Sequence, residues 1–424
     1  MLRKIYIFSP LLSGIFISFY SSAALIPATL PELLPYAVKN NVSLPVQQAQ
    51  LNALTGETQS AEALLFNNPV IDWNSGKRRN VAGNPDQVRQ SEWGAGISQT
   101  FEVAGQQGYR QASARSAMNT FREESLDTRN QVVLTTSILF YQILVLQEKV
   151  RLESDAVALY SRAESLVARQ RQSGSATRLD NNLATIERQL ASNQLLAARQ
   201  ALQDTRNELA RYLLTSEDAI PEMRGDFDNT AKALPYTYVS LNARLENTPG
   251  VRTLEWQEKS ASAELDLQKA ARIPDVTLGV SYTRDGPDNS REDLTTLSVS
   301  VPLPFFQRNE AGIGQATTAL TRSQLNLNTF RNAQKQQLKN QWNKLDNLKS
   351  RVEILNKQIL PAADMNKRLT LLAQESGQSS LPDVLLTSQQ ILNAQRTRLD
   401  TLLEYQTTRL TLENIANWRG QELP

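Results

Sequence analysis

The 424-residue sequence contains no cysteine and no histidine. Without cysteine there is no disulfide and no thiolate nucleophile. Without either residue, the usual zinc ligand sets cannot be built. A histidine general base and a Ser–His relay are equally out of reach. The phosphate-cradling pattern G-x-x-x-x-G-K-[ST] does not occur. Aromatic residues make up only 6% of the chain, little for a globular core of this size. No internal stretch approaches the ~18 consecutive apolar residues that a membrane-spanning helix needs. No long block of single-sign charge appears either. No enzyme, resident metal or cofactor is expected.

The one apolar run present lies at the N-terminus. Arg3 and Lys4 precede an apolar stretch from Ile5 to Phe19, and Ser22-Ala23-Ala24 offers a small-residue cleavage site. This pattern predicts a secretory signal over 1–24. No cysteine follows it, so export without lipidation is expected. The chain has 45 basic and 43 acidic residues, and losing Arg3 and Lys4 would leave 43 of each. A balance near zero argues against nucleic acid as a partner.

The remainder repeats itself once, with an offset of about 203–206 residues. Each half, 25–214 and 236–424, reads helix, strand, turn, strand, long helix, tight turn, helix, with a linker at 215–235. Asn68-Pro69-Val70-Ile71-Asp72-Trp73 matches Ile273-Pro274-Asp275-Val276-Thr277-Leu278. Proline disfavours helix in the residue before it, so each marks a switch to extended chain. Gly174-Ser175-Ala176-Thr177-Arg178-Leu179-Asp180 and Gly377-Gln378-Ser379-Ser380-Leu381-Pro382-Asp383 share G-x-x-[ST]-x-x-D. The glycine can end one helix left-handed. The hydroxyl and the aspartate three residues on can cap the next helix reciprocally. Tip turns are therefore expected near 173–180 and 376–383. Thr29-x-x-Glu32 predicts a further capping box before an early helix.

Four short segments alternate with period two and give β-hairpins at about 69–101 and 274–303. Val276, Leu278, Val280 and Tyr282 oppose Thr277, Gly279, Ser281 and Thr283; Leu297, Val299 and Val301 oppose Thr296, Ser298 and Ser300. Trp93, Ala95, Ile97 and Phe101 oppose Gly94, Gly96, Ser98 and Thr100, whereas Val70–Trp73 looks short. Such alternation suits a half-buried soluble strand or an outer-membrane strand. Trp73, Trp93 and Tyr282, near strand ends, fit the interface aromatics of the second. The polar stretches Asn74–Glu92 and Arg284–Asp293 read as loops. Four strands cannot close a pore, and lipid tolerates no open edge, so several chains must pool strands; three would give twelve.

Nothing breaks the helix between about Gln107 and Gln172, roughly 100 Å at ~1.5 Å per residue. Its counterpart, about Ala311–Ser376, contains Pro361, a candidate kink. Leu338, Leu345, Val352 and Ile359 form one heptad line. Leu348, Leu355, Ala362 and Leu369 form a second, and Leu385, Leu392 and Leu399 a third. Several lines per helix suggest neighbours on two sides, as in a cylinder wall; an ordinary bundle core has the same period.

Taken together, the duplicated plan, both tip motifs and the early Leu33, Ala37, Asn40-Asn41 segment resemble the TolC-like outer-membrane efflux family over the whole chain after the signal. Val301-Pro302-Leu303-Pro304-Phe305-Phe306-Gln307-Arg308-Asn309 is similar to its heavy-metal (cobalt–zinc–cadmium) branch. Phe101 to Arg110 is similar too, although Gly105-Gln106-Gln107 stands where that branch has Gly-Lys-Arg. The resemblance implies a mostly α fold with a small β part: a homotrimer with a twelve-stranded barrel in the outer membrane on a long periplasmic α-barrel. It implies lipid around the barrel, a periplasmic adaptor, and a proton-driven inner-membrane pump. The tips, with Gly174, Thr177, Asp180, Gly377, Ser380 and Asp383, would face the adaptor and form the gate, where Arg169, Arg171 and Glu375 are candidate gate charges. The expected role is a passive exit duct for heavy-metal cations. A drug or polypeptide duct and an exported coiled-coil scaffold are the alternatives.

Overall fold

The computed structural model describes residues 26–79, 89–228, 230, 232–286, 290–375 and 378–418; the signal stretch 1–24, Ser376 and Gly377 lie outside the described residues. In chain order the elements are α1 (Leu30–Asn40), α2 (Ser43–Ala61), β1 (Val70–Arg79), β2 (Arg89–Phe101), α3 (Gln106–Gln172) and α4 (Arg178–Tyr212). The second half follows with α5 (Tyr238–Arg244), α6 (Pro249–Ala270), β3 (Val276–Asp285), β4 (Glu292–Ser300), α7 (Glu310–Ile354), α8 (Leu360–Glu375) and α9 (Leu381–Ile415). The order of two helices, two strands, a long helix and a return helix recurs, with the second long helix divided into α7 and α8.

The strands run longer than their apolar alternation suggests, with ten, 13, ten and nine residues. Asn74–Arg79, Arg89–Glu92, Arg284–Asp285 and Glu292–Asp293 are strand and not loop. A ladder needs backbone partners only. Where a hairpin projects into water on both faces, polar residues extend it without an apolar pattern.

Helix α3 is unbroken over 67 residues. It contains a window apolar enough to cross a membrane, but most of that window is buried inside the fold. Val132, Leu139, Phe140, Ile143 and Leu144 pack there with Leu209 and Leu213 of the α4 end, Leu33 and Ala37 of α1, and Leu410 of α9. The linker is part of the same core: Ile220 and Met223 are buried in it, and the Arg224 N–H bonds the Ala28 carbonyl at 2.8 Å. Helix α1 does start after Thr29, but no reciprocal backbone cap forms. Thr29 Oγ1 donates to Glu32 Oε2 instead, at 2.9 Å.

The counterpart of α3 is interrupted before Pro361. Residues Leu355–Ile359 form a π-turn, with the Leu360 N–H bonded to the Leu355 carbonyl. One extra residue in a turn shifts every later side chain around the helix. The heptad lines show this. Leu338, Leu345 and Val352 are at most 2% exposed, but Ile359 is 43% exposed. Leu348 and Leu355 are buried, Ala362 is exposed, and Ala363 takes its place in the packing.

Candidate functional site: sheet faces and helical tips

The strands form one antiparallel sheet of order β1-β2-β3-β4, which leaves β1 and β4 as its edges. The register sorts the side chains. Ile71 lies opposite Ile97, Ile97 opposite Val280, and Val280 opposite Leu297. Opposed residues share a face, so these four form an apolar row, with Leu278 and Val299 on the same face. The other face carries Asp72, Gly94, Gly96, Ser98, Thr100, Thr277, Gly279, Ser281, Thr283, Thr296, Ser298 and Ser300. It is also crowded. A Cβ at Gly94 would lie 2.5 Å from Asn74 Oδ1, and one at Gly279 2.7 Å from Ser298 Oγ.

Three of the residues singled out from the sequence meet on the apolar face. The Trp73 and Trp93 rings stack with centroids 5.4 Å apart, and Tyr282 lies 5.6 Å from Trp93. They make an aromatic band across three strands. Beyond it, toward the hairpin loops, polarity takes over with an ion pair between Arg284 Nε and Asp293 Oδ1 at 2.8 Å. Toward the helices, the apolar row and Phe101 continue.

The first tip forms as its sequence predicts. Gly174 is left-handed, φ 80°, and the Ser175 N–H returns to the Gln170 carbonyl at 2.8 Å. Thr177 N donates to Asp180 Oδ2 at 2.9 Å, and Asp180 N donates to Thr177 Oγ1 at 3.1 Å. At the second tip, Ser380 N and Oγ donate to Asp383 Oδ2 at 3.0 and 2.6 Å. These bonds hold both aspartates below the usual carboxylate range. Gly377 falls outside the described residues. Arg169 and Arg171 are exposed in the last turn of α3, where cations suit the helix dipole. Glu375 is the last residue of α8. Toward the tips, Leu179, Ile186 and Leu190 of α4, Leu369 and Leu372 of α8 and Leu386 of α9 remain exposed.

Two polar networks behind the tips escaped sequence reading. Arg396 of α9 grips Glu153 of α3 through two nitrogens, each at 2.7 Å. Arg398, next on the same helix, bonds Asn356 Oδ1 in the π-turn at 2.6 Å and pairs with Asp228 of the linker. Pairs more than 200 residues apart, such as Glu153 and Arg396, have no sequence signature. The π-turn had only Pro361 as its sign.

Comparison with known proteins follows from this geometry. The family model described as outer membrane efflux protein matches residues 241–417. The cobalt-zinc-cadmium resistance protein CzcC of Cupriavidus metallidurans is 23% identical over 381 residues, 89% of this chain and 86% of its own. The nickel-cobalt-cadmium resistance protein NccC of Alcaligenes xylosoxydans xylosoxydans is 24% identical over 323 residues, 71% of this chain and 68% of its own. Among solved structures, CusC superposes with a TM-score of 0.78 at 15% identity, covering 91% of both chains. The second half of the chain thus matches the outer membrane efflux protein model, and the whole chain is similar in sequence to these resistance proteins and in fold to CusC.

Proposed function

We propose that this protein is the passive outer-membrane exit duct of a three-part efflux system, with heavy-metal cations as cargo. The observation that carries the reading is the sheet. It has one apolar, aromatic-bordered face, one face of small polar residues, and two edges without a neighbour. Lipid tolerates no unpaired strand edge. β4 of one copy therefore pairs with β1 of the next, and three copies give a twelve-stranded barrel over a helical cylinder. The tips at Gly174–Asp180 and around Ser380–Asp383 face the periplasmic adaptor and close the duct, with Arg169, Arg171 and Glu375 as its gate charges. Energy comes from an inner-membrane pump. The resistance proteins CzcC and NccC support the metal cargo. With neither cysteine nor histidine, the wall offers metal only weak oxygen ligation. Selection therefore belongs to pump and adaptor.

Two experiments test this. The protein extracted in detergent should migrate as a heat-modifiable oligomer and conduct ions in a planar bilayer; a detergent-free soluble monomer would end the reading. A deletion strain should become sensitive to divalent metals. Sensitivity to drugs alone would keep the duct and replace the cargo.

A further inference from the structure

Exposed apolar lines normally stop where their strand stops, but the line on β4 does not. Leu297, Val299, Val301, Leu303 and Phe305 recur at every second residue with exposures of 75%, 64%, 41%, 65% and 70%, and Phe306 is 98% exposed. The strand itself ends at Ser300. Pro302 and Pro304 exclude helix in the residues before them, and the Phe305 N–H turns back to the Leu303 carbonyl at 2.9 Å. Two arginines close the line. Arg308 Nε donates to the Pro304 carbonyl and Arg272 Nε to the Arg308 carbonyl, both at 3.3 Å. Neither contact uses the terminal guanidinium nitrogens. Glu310 lies beside them, accepting from the Arg308 N–H at 3.0 Å.

Near the base of the sheet in the first repeat, Arg110 is held inside the fold, 2.5 Å from Glu102 and 3.6 Å over the Phe66 ring. In the second repeat, Arg272 and Arg308 are at the surface near exposed phenylalanines.

We propose that Val301–Phe306 with Arg272 and Arg308 is a docking surface for phospholipid headgroups of the leaflet nearer the helices. The phenylalanines enter the acyl layer, and the guanidinium groups take phosphodiester oxygens. The inference rests on the barrel reading above. The sheet's apolar face is bordered at its loop end by Trp73, Trp93 and Tyr282, whose polar atoms reach headgroups themselves. At its helix end the aromatic residues are phenylalanines, which have no polar atom, so arginine must supply the headgroup contact. Guanidinium matches phosphate oxygens in pairs.

The absence of cysteine permits a clean test. A nitroxide on Phe306→Cys, in full-length protein reconstituted into phosphatidylcholine–phosphatidylglycerol vesicles, reports collisions with oxygen and with a water-soluble nickel chelate. Leu297→Cys on β4 serves as reference. The expected result is oxygen preference at both positions, with Phe306→Cys the shallower. Phe305→Cys substitutes if Phe306→Cys does not assemble. In parallel, Arg272→Ser with Arg308→Ser should lower phosphatidylglycerol affinity about fivefold per arginine, read by native mass spectrometry. Millimolar inorganic phosphate should not compete. Nickel preference at Phe306→Cys, or shielding from both reagents by a neighbouring copy, overturns the proposal while oxygen preference at Leu297→Cys leaves the barrel standing. Competition by inorganic phosphate also overturns it, in favour of a free-anion site. Oxygen avoidance at Leu297→Cys as well would remove both readings.

Discussion

Arg396 reaches across from α9 to Glu153 of α3 with both contacts at 2.7 Å, and the Glu153 side chain is only 2% exposed. Removing one partner strands a buried charge, which costs about 3–5 kcal/mol in general. Here Arg396 keeps a quarter of its side chain exposed, so the low end, about 3 kcal/mol, is expected for Glu153→Ala. Glu153→Leu with Arg396→Met should recover most of the loss. The midpoint of thermal unfolding measures both.

Neighbouring positions on β3 should respond in opposite ways. Val280 lies on the apolar face and Ser281 on the polar one. Val280→Arg should cost about 2–4 kcal/mol if that face meets mid-bilayer lipid and reduce assembly. Ser281→Arg should assemble normally and lower single-channel conductance. Equal effects at both positions would contradict the assignment of faces.

The tip caps should depend on acid in a defined direction. Hydrogen bonds from Thr177 and Ser380 depress the Asp180 and Asp383 carboxyls in the folded chain. Their stabilisation is therefore complete above the ordinary aspartate value, about 3.9. It fades as pH falls through that value toward the depressed folded one. Amide exchange in the first turns of α4 and α9 should accelerate over that range relative to mid-helix amides. Asp180→Asn with Asp383→Asn should remove most of the dependence.

Charge reversal at the same tips probes function. On the proposed duct reading, Asp180→Arg with Asp383→Arg should weaken adaptor docking or leak the closed duct. Unaltered metal resistance together with unaltered conductance would move the docking site elsewhere.

The second long helix should tolerate loss of its extra residue. Deleting Gln358 from the π-turn would restore an unbroken α-helix with Ala363 seven places after Leu355, still facing the packing. Thermal stability close to that of the parent is expected. Pro361→Ala should leave the turn in place, because the packing phase and not the proline ring requires the extra residue. Hydrogen exchange at Leu360 distinguishes the outcomes.

What was legible in the sequence followed from local chemistry. The G-x-x-[ST]-x-x-D tips, the Pro69 and Pro274 switches and the two-residue alternation at Val276–Tyr282 each act within one turn or strand. They announced the duplicated plan and the aromatic trio. Legibility ended where distant residues decide. Asn74–Arg79 became strand because Arg89–Gly94 lay opposite it. The linker became core because α1 and α3 left room for Ile220 and Met223. The phase slip at Leu355–Ile359 is set by packing and not by composition. Thr29 and Glu32 had the spacing of a capping box, but their side chains bond each other.

On the duct reading proposed above, a sheet with β1 on one flank and β4 on the other joins its sisters head to tail. Such a joint carries no stopping rule of its own; it closes into a ring only if the rotation per copy divides a full circle, and otherwise runs on as a ribbon. Strand tilt and stagger fix part of that rotation; on that reading the wedge angle of the long helices supplies the rest, so the helical part helps to count the copies.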